Sequence, residues 1–141
     1  MIFKFFNKDK QLSDNTDLFN VACLMIHAAR IDENYTEKER KIIKRTLIKL
    51  KSDDEDIDKL ISEAEKKETD SNHIQDFTRN IKAMEKDNKI EIIKNIWSII
   101  LSDGTSDIYE ENLMRRLAGL LYVDSKTMGD IKLDIQTKQK K

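Results

Sequence analysis

Two stretches of equal length decide the fold: residues 32–53, DENYTEKERKIIKRTLIKLKSD, and residues 103–124, DGTSDIYEENLMRRLAGLLYVD. They align without a gap at an offset of 71 positions (103 minus 32). The identical pairs are Asp32 and Asp103, Glu39 and Glu110, Arg45 and Arg116, Leu50 and Leu121, and Asp53 and Asp124. Self-similarity at a fixed offset is the sequence signature of a repeated structural unit. The chain is therefore predicted to contain two equivalent helix–loop–helix halves.

Apolar residues recur at i, i+3, i+4 and i+7 along most of the chain, which predicts amphipathic helices and no strands. The predicted starts are Asp14–Thr16 for helix 1, Thr36 for helix 2, Ser52–Glu55 for helix 3, His73 for helix 4, Asp87 for helix 5, Asp107 for helix 6 and Asp124–Ser125 for helix 7. Helix 4, from about His73 to Met84, joins the halves. We expect an all-α, compact single domain of about seven helices, in which helices 1, 2 and 3 correspond to helices 5, 6 and 7.

The predicted boundaries are a flexible N-terminal arm at residues 1–12, the helical domain at residues 13–137 and a basic tail at residues 138–141. The chain contains no proline, which fits long uninterrupted helices. A chain of this length buries roughly 68–70% of its unfolded surface, so a substantial core is expected. Trp97 and Phe77 lie on apolar helix faces and should be buried.

Capping boxes mark the starts of helices 2 and 6. In such a box the first residue caps the helix, and a glutamate three positions later bonds back to the cap N–H. Thr36 and Glu39 form one predicted box, and Asp107 and Glu110 form the other. Gly104 suits the left-handed position that ends helix 5.

Composition limits the classes of function. The net charge is −1, which gives no overall attraction to nucleic acid. The single cysteine, Cys23, excludes an intrachain disulfide, and no apolar run is long enough for a signal sequence or a membrane span. We therefore expect a cytoplasmic protein. The residues 1–8 offer a weak peripheral membrane contact through Phe3, Phe5 and Phe6 with neighbouring lysines.

Each loop presents an aspartate at the helix exit and a glutamate seven residues later. The four carboxylates of Asp32, Glu39, Asp103 and Glu110 are candidate ligands for a hard divalent cation, Ca²⁺ or Mg²⁺, which takes oxygen ligands. Neither loop has the spacing of an EF-hand. The alternative is that the glutamates only cap helices and the aspartates only order tight turns. The residues alone leave both interpretations open.

Catalytic machinery is not evident. Cys23 and His27 are four positions apart on one helix face, but Cys23 lies among apolar residues and is interpreted as a small core residue. No glycine-rich phosphate loop and no zinc-ligand spacing are present. We expect a protein that is not an enzyme and has no catalytic residues.

The paired loops resemble the tellurite-resistance TerB family, whose pattern is Ala-Asp-Gly followed by glutamates that open the next helix. The second loop fits with Ser102-Asp103-Gly104 and Glu110-Glu111, whereas the first, Ala29-Arg30-Ile31-Asp32, has Glu33 where glycine is usual. The similarity covers roughly residues 15–135.

The resemblance implies a non-enzymatic TerB-like domain linked to stress and tellurite resistance, with loop acids that bind a divalent metal. A related domain is similar to the N-terminal region of a membrane-anchored DnaJ-like co-chaperone, which implies contacts with an unidentified protein partner. Two hypotheses follow: a metal-responsive binding module, or an interaction or co-chaperone-type adaptor domain that needs no ion.

Overall fold

The computed structural model describes residues 15–31, 35–50, 56–70, 74–79, 81–103 and 106–139. Over these ranges the chain forms seven α-helices and two 3-10 turns, and no strand. The helices are α1 (Asn15–Arg30), α2 (Glu37–Leu50), α3 (Ile57–Asp70), α4 (Gln75–Thr78), α5 (Lys86–Ile100), α6 (Ile108–Leu120) and α7 (Ser125–Gln139); the turns are Ile81–Ala83 and Leu101–Asp103. This architecture confirms the predicted all-α fold. The predicted arm at residues 1–12 and the cap at Gly104 lie outside the described residues.

Helices α1 and α5 form the centre of the domain. Helix α1 packs against α2, α3, α4 and α5, and α5 packs against α1, α2 and α7. Every residue from Val21 to Ile26 is buried, so α1 is covered on all sides at its middle. The spacing i, i+3, i+4 and i+7 predicts one apolar face for each helix, but Leu24, Ile26, Ile92 and Ile99, which lie outside that face, are buried as well. A helix that is apolar all round becomes a core helix because neighbours cover it from several directions.

The burial pattern repeats with the sequence. Helix α1 begins at Asn15 and α5 begins at Lys86, which are 71 positions apart (86 minus 15). Equivalent positions are buried in both helices: Val21 and Ile92, Ala22 and Ile93, Met25 and Ile96, Ile26 and Trp97, Ala28 and Ile99, and Ala29 and Ile100. In α2 and α6 the buried pairs include Ile42 and Leu113, and Ile43 and Met114. The two halves therefore present the same faces to one core, as the repeat predicted.

The connection between the halves differs from the prediction. The prediction of a single helix from about His73 to Met84 is wrong, because α4 ends at Thr78 and a separate 3-10 turn follows at Ile81–Ala83. Ile74, Phe77 and Ile81 are nevertheless buried. Helices this short are not stable by themselves, so the burial of these apolar side chains decides the path of the chain here.

Candidate functional site: the two acidic loops

The two loops hold the four carboxylates predicted to bind a cation. Glu39 and Glu110 are buried, with exposed fractions of 5% and 6%. The backbone of Asp103 lies in the turn Leu101–Asp103, but its side chain is outside the part that the structure describes. Asp32 also lies outside the described residues. Two of the four predicted ligands can therefore be located, and the set as a whole stays a prediction.

Both glutamates take part in capping boxes. The Glu39 carboxylate accepts the Thr36 backbone N–H at 2.8 Å, and the Thr36 hydroxyl accepts the Glu39 N–H at 3.2 Å. In the second half the Glu110 carboxylate accepts the Asp107 N–H at 3.0 Å, and Asp107 accepts the Glu110 N–H at 2.8 Å. The predicted boxes are confirmed. They fix both glutamates at the first turn of a helix, next to the acidic loop.

We expect Thr36→Ala and Asp107→Ala each to lower the free energy of unfolding by about 1 kcal/mol, the usual cost of losing an N-cap. Chemical denaturation followed by circular dichroism measures this. Ser62→Ala, an exposed change on α3, is the control and should stay within roughly 0.5 kcal/mol of the parent protein. An equally small effect at Asp107 would show that its cap contributes little.

The first turn of α2 reaches the second loop. The Lys38 ammonium donates to the backbone carbonyl of Ser102 at 3.1 Å. Helix α2 also packs directly against α5, which ends at that loop. The start of α2 and the end of α5 therefore lie on the same side of the domain. This proximity is required if the two loops are to share one site, and it also places a positive charge beside the second loop.

No group of three or more histidine, cysteine, aspartate or glutamate side chains suited to a metal occurs within the described ranges. Glu39 and Glu110 belong to these ranges, whereas the side chains of Asp32 and Asp103 do not.

The first loop is anchored on α3 by a polar network that the sequence did not predict. Arg30 donates to Glu68 at 2.6 Å and to the Glu65 carbonyl at 3.0 Å. The Tyr35 hydroxyl donates to the Glu65 carboxylate at 2.7 Å, and Arg40 donates to the same carboxylate at 3.2 Å. Burial and the hydrogen bond to Glu65 raise the pKa of Tyr35. Both sides of the first loop are therefore held against one helix.

The second loop is anchored on α7 through Glu111. Its carboxylate accepts hydrogen bonds from Ser106 and from Lys132, the latter at 2.6 Å. The Lys132 ammonium also lies 5.3 Å from the centre of the Trp97 ring. Burial acts to raise the pKa of Glu111, but the bonds from Lys132 and Ser106 outweigh it, so the pKa is lowered. Each loop is thus fastened to the third helix of its own half.

This contact should make stability depend on pH. Because the pKa of Glu111 is lower in the folded state, its stabilisation is fully present above the unfolded pKa of about 4.3 and is lost as pH falls through the folded value. We expect Glu111→Gln to be less stable than the parent protein at neutral pH, and the gap to shrink at about pH 3. Urea unfolding at both pH values measures it, with Glu63→Gln, an exposed change, as the control. A gap that does not change with pH would contradict this account.

The helix that leads into the first loop contains Cys23 and His27, and these two side chains contact different partners instead of each other. Cys23 is fully buried and its thiol donates to the Ala64 carbonyl at 3.8 Å. Burial, followed by the charge of Glu68, raises the pKa of Cys23 to about 12. His27 Nδ1 lies 3.1 Å from Glu68 instead. A nucleophilic cysteine needs a lowered pKa, so Cys23 is a core residue, as predicted.

None of the helices in the described part of the chain is long and apolar enough to cross a membrane.

These features place the chain among small all-helical domains built from a duplicated helix–loop–helix unit, with an acidic loop before each capping box. The family model described as "Tellurite resistance protein TerB" matches residues 18–133, and the chain belongs to this family. No curated protein and no solved structure matches it.

Proposed function

We propose that this chain is a non-catalytic, tellurite-resistance-associated stress module that binds a divalent cation, Ca²⁺ or Mg²⁺, between its two acidic loops. The ligands would be Asp32, Glu39, Asp103 and Glu110. The observation that carries the proposal is the contact from Lys38 to the Ser102 carbonyl, because it brings the first turn of α2 against the second loop. Family membership supports the association with tellurite resistance.

The buried glutamates suit this role chemically. Each is held by its own capping box at the same position of its half, so the carboxylates are positioned before any ion arrives. Capping and cation binding are compatible on one carboxylate, because its two oxygens carry about four lone-pair sites. A divalent cation bound by these four carboxylates would also offset the repulsion among their negative charges.

Calorimetric titration of Ca²⁺ and Mg²⁺ into chelator-treated protein tests the proposal. We expect saturable binding by the parent protein, and its loss in the double variant Asp32→Asn with Asp103→Asn. Asp130→Asn with Asp134→Asn removes the same charge from the exposed face of α7 and should bind normally. Binding that survives in the double aspartate variant would contradict the proposed site.

The second candidate function is an interaction or co-chaperone-type adaptor domain with no ion. Two observations favour it: the capping boxes already explain the positions of both glutamates, and Lys38 already places a positive charge beside the second loop. A parent protein that shows no binding in the titration, while remaining folded, would favour this candidate. In either case we propose a cytoplasmic protein that acts through a protein partner.

A further inference from the structure

The C-terminal end of α6 has an unexpected residue at its tightest point. The Val123 N–H donates to the Ala118 carbonyl at 2.9 Å, and the Tyr122 N–H donates to the Gly119 carbonyl at 3.4 Å. These two bonds form a Schellman motif, in which the residue at the position of Tyr122 is usually glycine. Tyr122 has a φ of 59°, in the left-handed region that disfavours residues with a Cβ. Considered as a helix end alone, this turn would be more stable with glycine at position 122.

Burial does not explain why tyrosine is present. The side chain of Tyr122 is 73% exposed. Its ring lies 5.8 Å from the ammonium of Lys89, which donates to the Leu121 carbonyl at 3.0 Å. Lys89 itself is only 9% exposed, so the ring is held next to a fixed, buried cation. The fold therefore displays an aromatic side chain to solvent on a strained but well-supported turn.

Beside Tyr122 lies a shallow cleft of about 180 Å³. Gln75, Arg79 and Lys82 line one side, from α4 and the turn after it; Gly119, Leu120 and Tyr122 line the other. A Cβ added to Gly119 would meet no atom within 4 Å, so there is open space beside Gly119 in the cleft.

The cleft is positively charged. Arg79 and Lys82 are exposed, and neither forms an ion pair with any residue in the described ranges. Among the residues that the structure describes, no acidic side chain lines the cleft. A complementary partner must therefore supply negative charge near the two cations and an apolar group for the tyrosine ring.

We propose that this cleft docks an acidic segment of a protein partner, with an apolar side chain of that segment against Tyr122 and its carboxylates on Arg79 and Lys82. Tyrosine and arginine are the residue types that most often dominate binding at protein interfaces. An arginine guanidinium binds a carboxylate through two parallel hydrogen bonds, which adds direction to the charge attraction.

This inference does not depend on the proposed cation site. Helix α6 has 13 residues, so its two ends are about 18 Å apart at 1.5 Å per residue. The second acidic loop precedes one end, and Tyr122 follows the other. Changes in the cleft should leave any binding of Ca²⁺ or Mg²⁺ unaltered, so the two proposals fail separately.

The outer face of α2 provides a matched control surface. Lys41 and Arg45 are exposed there, with no ion pair to a described residue, and Lys38 and Lys44 line the same face. This face therefore carries at least as much positive charge as the cleft. Its exposed apolar neighbour is Ile48 instead of a tyrosine. A partner attracted only by positive charge would bind both surfaces.

The test uses a synthetic probe, a fluorescein-labelled peptide of glutamates interrupted by one leucine and one phenylalanine, measured by anisotropy on the full chain. Backbone amide NMR locates the peptide, and we expect shifts at Arg79, Lys82, Gly119 and Tyr122. Arg79→Glu with Lys82→Glu should weaken binding at least about tenfold, as expected for hot-spot residues. Lys41→Glu with Arg45→Glu should stay within about twofold, since surface charges outside the contact matter little.

The Tyr122→Gly variant distinguishes a role of Tyr122 in peptide binding from a role in the stability of the fold. It should weaken peptide binding at least about fivefold, while its melting temperature equals or exceeds that of the parent protein because the strain at this position is relieved. Three results would overturn the proposal: no binding of the probe, equal losses from the two double charge reversals, or a Tyr122→Gly variant that binds the probe as tightly as the parent protein does. Tighter binding of phosphatidylserine vesicles or an oligonucleotide with the same residue dependence would also overturn it.

Discussion

Shortening either of two equivalent core residues, Met25→Ala or Ile96→Ala, should lower the free energy of unfolding by about 2–5 kcal/mol. Met25 on α1 and Ile96 on α5 are both fully buried and are 71 positions apart (96 minus 25). Each change removes apolar contacts and leaves a cavity that closely packed neighbours cannot fill. Since single domains are stable by roughly 5–15 kcal/mol in total, either loss is severe.

Urea denaturation followed by circular dichroism measures both variants under one set of conditions. Leu133→Ala is the control, because Leu133 is 63% exposed, and it should change stability by no more than about 0.5 kcal/mol. A large loss at Met25 with a loss below about 1 kcal/mol at Ile96 would show that the second half has no central helix equivalent to α1.

The helices around each acidic loop could be predicted because their signals are local. Thr36 with Glu39, and Asp107 with Glu110, specify a helix start within four residues of chain. Because the two halves repeat the same pattern, the helices predicted in one half support the helices predicted in the other. Helix α1 begins at Asn15 and α5 at Lys86, the spacing that the two loops share.

The path between the halves could not be predicted in the same way. The periodicity around Ile74, Phe77 and Ile81 correctly identified buried residues, but it could not show that the helix stops at Thr78. Helix α4 packs against α1, and contacts between residues so distant in sequence leave no signal in the local periodicity.

Lys89 was also missed, although the repeat contains a signal for its burial. The residue 71 positions earlier is Leu18, which is a core residue of α1. A lysine at an apolar position of the repeat predicts a buried ammonium with a fixed acceptor, which is the Leu121 carbonyl. The left-handed Tyr122 had no such signal, because glycine is the residue expected at that turn.

For the candidate site, sequence predicted the capping boxes but not the hydrogen bond from Lys38, in the first turn of α2, to the Ser102 carbonyl. That contact depends on the packing of α2 against α5. The networks from Glu65 and Glu111 were missed for the same reason: each joins helices that only the folded chain brings together.

A divalent cation at 100 times its dissociation constant should stabilise the folded chain by about 2.7 kcal/mol, because it binds the folded state and not the unfolded one. The gain should vanish in the double variant Asp32→Asn with Asp103→Asn and persist in Thr36→Ala, whose defect is an ion-independent loss of a cap. Thermal unfolding with and without Ca²⁺ or Mg²⁺ measures both effects. A melting temperature independent of the ion in the parent protein would contradict the proposed site.

The number of ions bound per chain tests most directly whether the two loops act as one site. Calorimetric titration of the single variants Asp32→Asn and Asp103→Asn, beside the parent protein, supplies that number. One shared site predicts one ion per chain in the parent protein, and a large loss of affinity from either single change. Two ions per chain, with each single variant retaining one of them at unchanged affinity, would show that the loops bind independently and would contradict the shared site.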